Sequence, residues 1–309
     1  MKSTHWSKKT SKELLATPFS QFLSLKPLPL LEEAIREVCL EVRKKLPHLK
    51  LSFYPSDEWF CVDGTTAIAI PFYLYHPRLW ELEEKMMGKI EERNKEILKK
   101  ILRHEIGHAV DNAYHLRNNK MREKLFGPSH TKYPKFYGRK VFSQAYAQNL
   151  PLNYAQAHPD EDFAETFATW LNPKVQWKKK YLGKPCYQKL VFMNALMREC
   201  KNLIPLTKSR RQYDKVYELS GTLKKFYQRK RKIYLSPLEI LVNKNKPCRK
   251  SQSLQTEELM HKLTNDFQLP KYQAQAISQI IKKNNSLPLK KVMNEIPRFI
   301  EHQFKRIPL

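Results

Sequence analysis

His104-Glu105-Ile106-Gly107-His108-Ala109-Val110-Asp111 is the stretch on which the reading of this chain turns. At about 100° per residue, Ile97, Ile101, His104, His108 and Asp111 fall in one narrow stripe, so the two histidines continue a face that is apolar one turn earlier. Leu102, Ile106 and Val110 form a second apolar side. A helix apolar on two sides belongs in the middle of a fold. The pattern predicts a long helical stretch from about 79 to 116, in one piece or two, whose second half is central.

The same five residues, His104 to His108, carry a chemistry. Residues four apart on a helix lie one turn apart on one face, so two imidazoles can converge on a single ion. Zinc takes tetrahedral nitrogen and oxygen ligands and, in a catalytic site, keeps one position open for water. Glu105 sits to one side of the histidine pair. It can take a proton from that water and pass it to a departing amine. A bare H-E-x-x-H also arises by chance, so the reading needs a third ligand. The three-histidine continuation does not supply it. The positions where that pattern has glycine and histidine hold Asp111 and Tyr114, and His115 is one residue out of phase.

A better source lies downstream, in Tyr154-Ala155-Gln156-Ala157-His158-Pro159-Asp160-Glu161-Asp162-Phe163-Ala164-Glu165-Thr166-Phe167-Ala168. Pro159 suits the first turn of a helix, and the acids after it suit the positive end of the helix dipole. That helix is expected to run to about Leu171. Glu161 and Glu165 are one turn apart, with Ala164 and Ala168 beside them, small enough for a second helix to come close. Glu161 is then the candidate metal ligand, and Glu165 the carboxylate that orients a ligand histidine by accepting its other N–H. Asp160 and Asp162 read as solvated acids of a first turn. His158 has three readings: a helix cap, a donor to substrate, or an alternative ligand. Asp111, one turn beyond His108, reads either as an acceptor behind a ligand histidine or as a solvated helix residue.

With these two segments, HEIGHAVD at His104–Asp111 and YAQAHPDEDFAETFATW at Tyr154–Trp170, the chain resembles the gluzincin clan of metallopeptidases. It is similar to a bacterial family of zinc-binding metallopeptidases in that clan and, more distantly, to the catalytic domain of anthrax lethal factor. The resemblance spans about residues 31–205, but only the two segments are specific. It implies Zn2+ as cofactor, Glu161 as third ligand and Glu165 behind the ligand shell. It also implies that Tyr154, seven residues before Glu161, donates to the oxyanion of a tetrahedral intermediate. By the same resemblance the strand expected at Thr65–Tyr75 would lie at the cleft edge, where an extended substrate could pair with it. The chain departs from the family in two ways. No cysteine pair has the C-x-x-C spacing of the zinc ribbon often found N-terminally in the family, and the basic C-terminal hundred residues have no counterpart there.

Around this centre the chain reads as α+β, mostly helical, with a zincin-like domain, a small mixed sheet and an active-site helix, followed by a helical C-terminal region. The expected divisions are a lead-in over 1–30, the metallopeptidase domain over 31–205 and a basic helical region over 206–309. Leu31, Ala34, Ile35, Val38 and Val42 predict a helix to Lys45, and another is expected from Cys186 to about Leu203. Strands are expected at Leu49–Tyr54 and Thr65–Tyr75, the latter at an edge or with a bulge because of Pro71. Residues 119–153 read as irregular, and 256–307 as short amphipathic helices.

Composition bounds the function. Only 7 glycines in 309 residues favour helix, and no run approaches the roughly 18 apolar residues of a membrane span. Five widely spaced cysteines read as free thiols in a reducing setting. The opening residues lack a secretory signal, so a cytoplasmic location is expected, with export as an effector by a signal-independent route compatible with it. A formal charge of +27 predicts attraction to polyanions, and Lys208, Arg210, Arg211, Lys224, Lys225 and Arg229–Lys232 concentrate it. The expected partners are a peptide or protein substrate and, through the basic C-terminal region, a polyanion or nucleic acid. The alternative function is a nucleic-acid-associated basic protein carrying a protease-like or non-catalytic zinc site.

Overall fold

A computed structural model describes residues 5–87, 91–134, 140 and 142–231. The chain is mostly helical, with one small mixed sheet. The helices are α1 (Ser11–Leu15), α2 (Pro29–Lys45), α3 (Pro77–Met87), α4 (Lys95–Ala113), α5 (Lys120–Phe126), α6 (Pro159–Leu171), α7 (Trp177–Tyr181) and α8 (Tyr187–Cys200). Among the described residues no helix is long and apolar enough to cross a membrane.

α4 is the central element, and its two-sided apolar pattern is the reason. Leu98, Leu102, Ile106, Ala109, Val110 and Ala113 are all buried. Asn94 caps it, accepting from the Glu96 amide at 2.8 Å. α2 packs along one side. There the fully buried Arg103 donates to Glu41 through Nε and Nη2, both at 2.8 Å, a fork-to-fork pair that sets the register of the two helices. α6 packs along another side. Gly107 lets it come very close: a Cβ there would lie 2.8 Å from Ala164 Cα.

The sheet has the order β1-β3-β2, with β1 at Ser52–Ser56, β2 at Phe60–Cys61 and β3 at Ala67–Pro71. β1 runs parallel to β3, Ser52 opposite Ala67, and β2 runs antiparallel, Phe60 opposite Ala69. The strand expected at Thr65–Tyr75 is therefore the middle strand and not an edge. Pro71 is its last residue, opposite Ser56, where β1 also ends. Beyond it the chain closes into a buried 3-10 turn, Phe72–Tyr75. β1 pairs with β3 along its whole length, and β2 takes up its other side at Ile68 and Ala69. β2, only two residues long, is too short to leave a periodic signal, yet it lies beside α4. Asn112 Nδ2 on α4 donates to the carbonyls of Val62 and Thr65, both at 3.0 Å, which ties the helix end to the turn after β2.

Two expected divisions do not coincide with breaks in the packing. Trp6, Leu14, Phe19 and Phe22 lie in the main core cluster, so residues 5–30 are part of the body. So is the stretch from 206 to 231. The Leu206 and Thr207 amides donate to the Ala113 carbonyl at the end of α4, at 2.8 and 3.1 Å, and the Thr66 amide donates to Ser209 O at 2.9 Å. Val216, Leu223, Phe226 and Tyr227 are buried, the last three at helical spacing within a helix over 223–231. Phe19, Phe72 and Phe226 meet edge to face with centroids 5.4–5.6 Å apart. The lysines and arginines interleaved with these apolar positions gave the segment a solvated look; Lys224, Lys225 and Arg229 are exposed, but Lys230 is buried and pairs with Glu58 and Glu83, both at 3.0 Å. The helices expected within 256–307 lie outside the described residues. Residues 119–153, expected to be irregular, contain α5 and a 3-10 turn at Pro151–Gln156.

Candidate metal centre

α4 brings His104 and His108 to the α6 side, and α6 brings Glu161 to meet them in its first turn. Three donor atoms converge. His104 Nε2 is 3.2 Å from His108 Nε2, Glu161 Oε2 is 3.0 Å from His104 Nε2, and Glu161 Oε2 is 3.3 Å from His108 Nε2. Among the described residues, this is the group of His, Cys, Asp and Glu able to hold a metal ion. A tetrahedral zinc with ligand bonds of about 2.0–2.2 Å sets its donors about 3.3 Å apart. The triangle has that size.

The hydrogen bonds behind the triangle point its lone pairs inward. His104 Nδ1 lies 2.9 Å from Glu165 Oε1, and a carboxylate can only accept, so Nδ1 carries the proton and Nε2 of the neutral ring is bare. A bare nitrogen facing a carboxylate oxygen at 3.0 Å, with a second imidazole nitrogen at 3.2 Å, is repulsive unless a cation or a proton lies between them. The electrostatics agree. Burial alone would lower the His104 pKa, but Glu161 and Glu165 together hold it well above the usual imidazole range. Burial would raise Glu161, and the two imidazoles instead hold it well below the usual carboxylate range. These buried carboxylates call for positive charge at the point where the three donors meet.

Glu165 is itself held rigidly. Its Oε2 accepts from the backbone amides of Asn149 and Leu150, at 2.9 and 2.8 Å, and the residue is fully buried. Glu105 is also buried, and desolvation pushes its carboxyl above the usual range against the pull of His104 and His108. A raised pKa suits a group that must take a proton and then release it. Tyr154 is buried with its ring 5.4 Å from the His104 ring, so it borders the same centre.

His158 is the N-cap of α6. Its Nδ1 accepts from the Asp160 amide at 3.1 Å, which leaves the proton on Nε2 to be donated to the Thr131 carbonyl at 2.7 Å. Both nitrogens are thus engaged away from the triangle. Asp111 is not a solvated helix residue: it is buried, and its Oδ2 accepts from Arg122 at 2.6 Å. Nor are Asp160 and Asp162 solvated. Asp160 Oδ1 accepts from Arg122 at 2.7 Å and from Ser129 at 2.6 Å. Asp162 pairs with Lys189 on α8, and burial pushes its carboxyl up to about 7. The first turn of α6 is buried because α4, α5 and α8 all pack on it.

Residues 81–178 match the family described as "putative zinc-binding metallo-peptidase". The matched span starts within α3, takes in all of α4 and α6, and ends at the start of α7. The family is described as zinc-binding, and the His104–His108–Glu161 group can hold such an ion. No curated protein and no solved structure matches the chain at a significant level, so the likeness to lethal factor rests on the motif residues alone. Within the matched span the structure also brings in groups that sequence reasoning missed. Arg122 joins Asp111 to Asp160, Tyr133 Oη donates to Glu161 Oε1 at 2.8 Å, and the amides at 149 and 150 seat Glu165. All lie in or beside the aperiodic stretch 119–153, where no spacing marks them.

Proposed function

We propose that this chain is a zinc-dependent peptidase, with His104, His108 and Glu161 as ligands. The observation that carries the reading is the triangle of inward-facing donors with Glu105 beside it. A structural zinc site needs its ligands and the partners that orient them, as Glu165 orients His104, and has no use for a further acid such as Glu105. Zinc, when bound, would supply a Lewis acid for a peptide carbonyl and lower the pKa of a water. Glu105 would take a proton from the attacking water and hand it to the leaving amine. Tyr154 would donate to the oxyanion. Glu165 would hold the His104 proton at Nδ1, so that Nε2 stays a ligand atom. Of the two outer strands, β2 is the one beside α4, and it is the candidate edge for an extended peptide.

A second property would accompany this activity. Lys208, Arg210, Arg211, Lys224, Lys225 and Arg229 are exposed, and Lys225 and Arg229 line a shallow cavity of about 470 Å³ with Ser220, Gly221 and Gln228. This surface supports binding of a polyanion such as nucleic acid near the peptidase body. Cys39, Cys61, Cys186 and Cys200 are free thiols, which suits a reducing, cytoplasmic setting, and Cys248 lies outside the described residues.

The test is bound metal per chain after dialysis, together with peptide hydrolysis. The native protein should hold one zinc, Glu161→Ala should lose it, and Glu105→Gln should keep it while losing most activity. Glu105→Gln with zinc and a normal rate would rule the mechanism out. A native chain that takes up no zinc on reconstitution would rule out the whole reading.

A further inference from the structure

The outer oxygen of Glu161 has its own partner. Oε2 faces the two imidazoles, at 3.0 and 3.3 Å, while Oε1 accepts from the Tyr133 hydroxyl at 2.8 Å. The Tyr133 side chain does not reach this position freely. Its ring lies flat on His158, centroids 3.8 Å apart and 8° from parallel. His158 in turn is fixed at both nitrogens, by the Asp160 amide on one side and the Thr131 carbonyl on the other. The N-cap of the ligand helix thus seats an aromatic ring whose hydroxyl lands on the ligand carboxylate of the same helix.

From this geometry we infer that Tyr133 is a positioning residue that holds Glu161 as a one-oxygen ligand and so keeps a coordination position open for water. The inference rests on the zinc-peptidase reading above and adds a residue to it. The physical reason is a choice open to any carboxylate ligand. It can offer one oxygen to an ion or both, and a second oxygen crowds the position a water would fill and makes the ion five-coordinate. A catalytic zinc needs three protein ligands and one open position. An O–H donor on Oε1 engages the lone pairs that would otherwise turn toward the ion, and it fixes the plane of the carboxylate. Outer partners of this kind typically change metal affinity or activity by about 10–100-fold when removed.

The stacking on His158 also explains why the partner is a tyrosine. A serine or threonine would need backbone at the same place. A ring brings the hydroxyl in from the stretch 131–134, whose Thr131 carbonyl holds the His158 cap. Tyr133 is 39% exposed, so replacing its hydroxyl opens no buried hole.

The experiment compares native protein, Tyr133→Phe and Tyr133→Ala, each loaded with cobalt(II) as a spectroscopic stand-in for zinc, alongside zinc affinity by chelator competition. Tyr133→Phe keeps the ring on His158 and removes only the hydroxyl. The expected result is a native cobalt spectrum of a four-coordinate ion, weakened and shifted in Tyr133→Phe toward that of a five-coordinate ion, with zinc bound about 10-fold more weakly and an unchanged melting temperature. Tyr133→Ala should show the same spectral change. A Tyr133→Phe spectrum identical to the native one overturns the inference, as does a change confined to Tyr133→Ala, which would assign the effect to the stacked ring. A native chain that takes up neither cobalt nor zinc overturns the zinc-peptidase reading itself, a result distinct from these.

Discussion

Gly107 stands where α4 and α6 touch, between His104 and His108 of α4, and its replacement by alanine should loosen the fold and the candidate metal centre together. An added Cβ would meet Ala164 Cα at 2.8 Å, Ala164 O at 3.1 Å and Ala164 Cβ at 3.2 Å. Two of these are backbone atoms, which cannot swing aside. Ordinary contact begins near 3.4 Å, so the helices must separate by about 0.6 Å. Overpacking of this kind costs about 1–3 kcal/mol. Alanine is the better helix former by about 1 kcal/mol, which offsets part of it. The net loss is about 0–2 kcal/mol, and for a body of this size each kcal/mol lowers the melting temperature by about 2–4 °C. The same separation stretches the donor triangle, since His104 and His108 ride on α4 and Glu161 on α6. A metal site tolerates about 0.2 Å in its ligand distances. Zinc affinity should therefore fall by more than the stability change alone suggests, about 10-fold or more. The assays are thermal unfolding with and without zinc, and chelator competition. If Gly107→Ala proved about 1 kcal/mol more stable and bound zinc normally, helix propensity alone would be at work and the close approach of α4 and α6 would be refuted.

Two further outcomes are expected. Arg122 is fully buried between Asp111 of α4 and Asp160 of α6, and Arg122→Met strands both carboxylates, so it should destabilise the protein by about 3–5 kcal/mol; a melting temperature near native would mean that Arg117, 3.5 and 3.3 Å from the same two acids, carries the pairing. If the exposed face of the helix over 223–231 meets nucleic acid, duplex DNA should bind with a log–log salt slope of about −3 for three phosphate contacts, and exchanging Lys224, Lys225 and Arg229 for glutamate should abolish that binding. Binding that ignores salt, or survives the exchange, would remove the polyanion reading.

What could be read from the residues alone was whatever repeats at a helical interval. The period of α4 carried its central place, and the one-turn spacings of His104 with His108 and Glu161 with Glu165 carried the metal chemistry, because neighbours at i and i+4 share a face in any context. Pro159 marked the start of α6 to the residue. Strand order was not legible: β2 has two residues, and its presence turned β3 from an expected edge into the middle of the sheet. The extent of the body was not legible either. In 5–30 and 206–231 the apolar anchors are few and lie among prolines or lysines, and only their joint packing on Phe72 reveals them.

The surroundings of the metal centre belong wholly to the tertiary structure. Arg122 reaches Asp160 across 38 positions, Tyr133 reaches Glu161 across 28, and the amides at 149 and 150 reach Glu165 across 16 and 15. None of these groups sits at a spacing related to its partner, for a bond across that many positions leaves no period in the sequence. The sequence by itself determined which atoms could hold an ion, since ligand type and helical spacing are local properties. Only the folded chain decided where His104 and His158 carry their protons, which oxygen of Glu161 is taken by Tyr133, and which acids are buried against arginine, because each of those depends on a partner brought in from elsewhere.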